Sequence, residues 1–104
     1  MNKQKIIYSI LREIAKGENI PKYSDFDLSL IEYRDLIDQI QDDDLIKGAS
    51  VPRGSQHKPE KMVLMDNAEI TSKGSAYLEK YSALAESYPG LEDIKPWLKG
   101  SLSD

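Results

Sequence analysis

A mainly α-helical chain with one small antiparallel β-hairpin is predicted by two helix-start signatures, at Ser29 and Thr71, and by a change from helical to strand-like apolar spacing after Asp44. The stretch Ile70-Thr71-Ser72-Lys73-Gly74-Ser75-Ala76-Tyr77-Leu78 is the more informative start, because it opens a helix directly after a strand. At 104 residues the chain reads as one domain over 1–100, large enough for a single core, followed by a frayed tail at 101–104.

Ile6, Ile7, Ile10, Leu11 and Ile14 recur on one face of a first helix, whose other face carries Lys3, Lys5, Arg12, Glu13 and Lys16; Gly17 stops it. Residues 19–28 have room for one short helix, with Pro21 suited to its first turn and Tyr23, Phe26 and Leu28 available to turn inward. Ser29 and Glu32 spell a capping box, and Leu30, Tyr33, Leu36, Ile37 and Ile40 supply the buried stripe of a helix running to about Asp43. Asp44 then stands where glycine usually relieves the left-handed turn that closes a helix, a conformation Asp tolerates better than most residues.

Residues 45–51 and 61–65 are short β-prone runs flanking the polar loop 52–59, which holds one Gly and two Pro, and this predicts a hairpin with a long tip. Thr71 caps the next helix, where Tyr77, Leu78, Tyr81, Leu84 and Ala85 continue at helical spacing. Ser87-Tyr88-Pro89-Gly90 breaks that helix. Leu91, Ile94, Trp97 and Leu98 form the apolar face of a short C-terminal helix, which either begins late, with Pro96 in its first turn, or is kinked. The order is helix, short helix, helix, strand, wing, strand, helix, plus a short C-terminal helix. This is winged helix-turn-helix order.

That order resembles the YjcQ-like family of small winged-helix proteins from Gram-positive bacteria and their prophages. The likeness covers nearly the full chain: Ser29-x-x-Glu32-Tyr33, the exit Asp44-Leu45-Ile46-Lys47-Gly48, the helix start at 70–78, and the closing Ile94-Lys95-Pro96-Trp97-Leu98-Lys99. The resemblance implies a winged-helix fold and a DNA-binding or transcription-regulatory role, and it supplies no catalytic or ligand residues. The chain departs from the family pattern at Asp44, commonly glycine, and in the acidity of its third helix.

Between Asp25 and Asp44 eight carboxylates face Arg34 as the single base, so residues 25–44 carry −7 while the remainder of the chain sums to +3. In a DNA-binding winged helix this third helix would enter the major groove, where acidic side chains meet a field of phosphates. Two functional readings follow. In the first, Arg34 reads bases with Ser29, Gln39 and Gln41 near the groove, while Lys47, Arg53, Lys58 and Lys61, with His57 between them, grip the backbone of double-stranded DNA. In the second, Glu32, Asp35, Asp38 and Asp42 present an acidic face to a basic protein partner. Wing cations and a solvated acidic face also arise for solubility and edge protection alone. Tyr88, Leu91, Ile94, Trp97 and Leu98 serve either a homodimer seam or, as is commoner in so small a domain, closure of the chain's own core, with Trp97 as the anchor.

Enzymatic chemistry is not expected. The sole histidine, His57, lies in a loop beside Lys58, and with no cysteine there is no thiol nucleophile, thiolate ligand or disulfide. Asp42-Asp43-Asp44 lacks the alternating oxygen ligands and central glycine of a calcium loop, and no glycine spacing suits a phosphate loop, so neither metal nor cofactor is expected. The run opposes the helix dipole, at a cost of several tenths of a kcal/mol per exposed charge. Apolar runs are too short to span a membrane, and Arg12, Glu13 and Lys16 interrupt any signal-peptide core, which together lead to an expected cytoplasmic location.

Overall fold

A computed structural model describes residues 3–17, 21–49 and 68–99. Helix α1 (Lys3–Lys16) is followed by a 3-10 turn (Tyr23–Phe26), α2 (Leu30–Asp42), β1 (Ile46–Lys47), β2 (Glu69–Ile70), α3 (Ser72–Lys80), two further 3-10 turns (Ser82–Glu86 and Leu91–Asp93) and α4 (Ile94–Lys99). The described chain is therefore mainly helical, with a two-stranded antiparallel sheet. None of its helices is long and apolar enough to cross a membrane.

Each strong sequence signal has a local bond behind it. Gly17 adopts φ 73° and ends α1. Ser29 Oγ accepts from the Glu32 N–H at 3.1 Å while Glu32 Oε1 accepts from the Ser29 N–H at 2.9 Å, completing the capping box of α2. At its other end Leu45 N–H donates to the Ile40 carbonyl at 3.0 Å and Asp44 N–H to the Gln41 carbonyl at 2.9 Å, with Asp44 at φ 65°. This is the paired closure normally built on glycine, here carried by aspartate. In the preceding turn the Asp25 carboxylate accepts from Lys22 N–H at 2.8 Å, so Lys22, not Pro21, borders the turn. Pro21 instead offers its carbonyl to the buried Tyr33 hydroxyl at 2.8 Å.

The described strand pairing lies nearer to Thr71 than the run 61–65. Ile46 lies opposite Ile70 and Lys47 opposite Glu69, so the described partner of β1 is the segment immediately before Thr71; residues 50–67, which include the run 61–65 and the loop 52–59, lie outside the described residues. The cause is Thr71 itself. Its N–H donates to the Leu45 carbonyl at 3.1 Å and its hydroxyl donates to the Asp44 carbonyl at 2.5 Å, which lays the residues before it alongside Ile46. The same hydroxyl oxygen accepts from Gly74 N–H at 3.0 Å and caps α3.

The helix that starts there is shorter than its apolar spacing suggests, ending at Lys80 and tightening into the 3-10 turn that holds Leu84 and Ala85. Tertiary contacts override the local pattern: the tightened turn returns Tyr88 to α1, where its hydroxyl donates to Glu13 Oε2. At the C-terminus α4 begins late, with Pro96 in its first turn.

The core gathers Ile6, Ile10 and Leu11 of α1, Ile37 and Ile40 of α2, Ile46 of β1 and Ile94 of α4. Helix α1 lies against α3 and β2, while α2 and α4 both contact the first 3-10 turn. Trp97 is half-buried against its own chain: Lys5 stands 4.7 Å above its ring and donates to its carbonyl at 2.8 Å, and its indole N–H donates to Ser87 Oγ at 2.9 Å.

Candidate interaction surface

The surface on which the two functional readings turn is the outer face of α2. Because Tyr33, Leu36, Ile37 and Ile40 point into the core, the remaining helical positions are turned outward by geometry. Glu32, Asp35, Gln39, Asp42, Asp43 and Asp44 are exposed there; Arg34, Asp38 and Gln41 are half-buried. Gln41 is engaged in the fold, its side-chain oxygen accepting from Ala49 N–H at 3.1 Å. Ser29 spends its hydroxyl on the cap. The side chains projecting fully from α2 are therefore acidic, apart from Gln39 and Ile31.

Of the basic candidates, Lys47 is exposed on β1, whereas Arg53, His57, Lys58 and Lys61 lie outside the described residues. The four acidic candidates, Glu32, Asp35, Asp38 and Asp42, share one helix and form a continuous patch along about three turns. Asp42, Asp43 and Asp44 are exposed, and among the described residues no three His, Cys, Asp or Glu side chains converge on a possible metal position.

Beside this face lies an open groove of about 260 Å³, formed where the start of α1 meets α2. Ile6, Leu28 and Leu36 line it with Lys3, Glu32, Asp35 and Gln39. It was not legible in the sequence, because it joins residues from separate elements. Ile31, 61% exposed, adds an apolar point on the same helix.

A second group of polar side chains lies between α1 and the C-terminal segment. Glu13, placed by its charge on the outer face of the first helix, is instead 2% exposed. Its Oε2 accepts from Tyr88, while Oε1 has no hydrogen-bond partner among the described residues. Arg12 donates to the Tyr8 hydroxyl at 3.0 Å and lies 5.3 Å from the centre of the Tyr88 ring, which meets Tyr8 and Trp97 edge-on. Burial, and then the bond to Glu13, push the Tyr88 phenol well above its ordinary range. The signal for Glu13 was its position seven residues after Ile6 and three after Ile10, on the buried stripe itself.

A small helical protein with a two-stranded sheet and an acidic helix face is thus the class that the described geometry defines. The chain belongs to the YjcQ protein family, whose model matches residues 8–97. It is 28% identical over 99 residues to the uncharacterized protein YjcQ of Bacillus subtilis, a match that covers 95% of this chain and 100% of that one. No solved structure matches the chain.

Proposed function

We propose that this protein is a cytoplasmic winged-helix module without enzymatic activity, in which α2 occupies the recognition-helix position and presents its acidic face to a basic protein surface. The order α1, 3-10 turn, α2, β1, β2, α3 supports the winged-helix reading. The observation that carries the choice of partner is the chemistry of the exposed α2 face, where Glu32, Asp35 and Asp42 project and the one base, Arg34, is half-buried. Phosphate contacts depend on cations, and carboxylates at this position repel the backbone of a duplex.

A second reading, DNA-linked transcription regulation, is favoured by the exposed Lys47 on β1 and by Arg53, Lys58 and Lys61 further along the chain. Ionic strength and charge reversal separate the two. Under the protein-partner reading, Asp35→Lys with Asp38→Lys abolishes capture of a basic protein in a pull-down, and labelled duplex DNA shows no saturable binding at low salt. Saturable duplex binding that falls steeply with salt and weakens on Arg53→Ala or Lys58→Ala would establish the DNA reading instead.

A further inference from the structure

The groove between α1 and α2 pairs an apolar floor with a charged rim. Its floor is apolar, with Ile6, Leu28 and Leu36 each buried in the core behind it. The α2 rim carries Glu32 and Asp35, and Glu32 is held in place by the bond from Ser29 N–H to its Oε1 at 2.9 Å. Lys3 stands on the α1 rim. At about 260 Å³ the open groove has room for a single side chain.

We infer that this groove is an anchor pocket for one arginine of a basic protein segment. The alkyl stem lies over the exposed edges of Leu28 and Leu36, above the fully buried Ile6, and the guanidinium reaches the carboxylates of Glu32 and Asp35. Lys3 repels a cation from the opposite rim and so sets the direction of entry. Charge complementarity selects the occupant: an acidic or phosphate-bearing partner would meet the α2 carboxylates, while a purely aliphatic one would make no use of them. Ile31, one helical turn before Asp35, offers an apolar contact to the residues flanking the arginine. The inference rests on the reading of α2 as a surface for a basic protein.

The test uses the full chain and a fluorescently labelled synthetic helical peptide of arginine, alanine and leucine, followed by anisotropy and by amide chemical-shift mapping. Gln39→Trp fills the groove and keeps every carboxylate, Asp35→Asn removes one rim charge, and Asp42→Asn removes a charge on the same helix away from the groove. The expected result is about tenfold weaker binding for Gln39→Trp and for Asp35→Asn, as for loss of a charge-assisted contact, with the largest shift changes at Ile6, Leu28 and Leu36. Asp42→Asn, on the same acidic face but away from the groove, should weaken binding less than Asp35→Asn does. Undiminished binding by Gln39→Trp, with Asp35→Asn and Asp42→Asn weakened alike, overturns the pocket and leaves the acidic-face reading standing. No saturable binding of the peptide by the unsubstituted protein overturns both. A homodimer in sedimentation that Gln39→Trp dissociates overturns the arginine assignment in favour of a second copy of the chain.

Discussion

Gly74 and Asp44 show how the same chain uses a glycine where space forbids a side chain and omits one where backbone geometry invites it. A Cβ on Gly74 would lie 2.2 Å from the Leu45 carbonyl oxygen and 2.6 Å from Ile70 Cγ1, and the first of these is backbone held by the Thr71 N–H. Gly74→Ala must therefore push α3 away from the end of α2. We expect it to lower stability by about 1–3 kcal/mol in urea unfolding, the range of forced overpacking. Asp44, at φ 65°, pays the ordinary strain of a side chain in the left-handed region and adds a third carboxylate at the negative end of the helix dipole. Asp44→Gly keeps the carbonyl that accepts from Thr71, and should raise stability by about 0.5–1 kcal/mol in the same measurement.

At the scale of elements, caps and closures decide where helices start and stop, and most of them were legible because their bonds span three to five residues. The Ser29–Glu32 box and the Asp44 turn are of this kind. Thr71 goes further: one hydroxyl caps α3 through Gly74 N–H and ties it to the exit of α2 through the Asp44 carbonyl. Thr71→Ala removes both bonds and is expected to cost about 1–2 kcal/mol, whereas Thr71→Ser should recover most of that loss. Equal losses for the two variants, measured by urea unfolding, would show that the methyl group and not the hydroxyl matters. The early end of α3 was not legible. Tyr81, Leu84 and Ala85 keep helical spacing, but the chain tightens there to meet a contact 75 residues away in sequence.

The C-terminal segment closes the described fold: Tyr88 and Trp97 dock on α1, and α4, with Ile94 and Leu98 in the core, packs on the first 3-10 turn. Tyr88→Phe would leave the buried Glu13 carboxylate with neither oxygen bonded, and a cost of about 1–3 kcal/mol is expected. Alkaline pH probes this closure and the packing of α2 and α3 together. Burial raises the phenols of Tyr33 and Tyr88 well above their ordinary value, and burial together with Tyr81 pushes Tyr77 from 10.0 up to about 12. A raised folded pKa of a phenol means that the folded chain holds its proton longer than the unfolded one. The associated stability is fully present below pH 10.0, the unfolded value; that of Tyr77 is lost as pH rises from there through about 12, and that of Tyr33 and Tyr88 goes on being lost at higher pH. Unfolding midpoints should therefore show no phenol-linked change in the neutral range and fall above that value, with a shallower decline in Tyr33→Phe and in Tyr88→Phe. A decline as steep in both variants, with phenolate absorbance rising before unfolding, would remove these hydroxyls from the account.

The sequence by itself determined the family, the mainly helical class with a small antiparallel sheet, the caps at Ser29 and Thr71, the left-handed Asp44 and the concentration of acid on one helix. These follow from local bonds and from periodicity, which a linear string of residues carries. Only the tertiary structure decided that β1 pairs with Glu69–Ile70, that Glu13 is buried against Tyr88, that Arg34 is half-buried, and that an apolar groove runs beside the acidic face. Each of these brings together residues distant in sequence, and their free energy arises from desolvation and packing between elements, which spacing along one element does not encode.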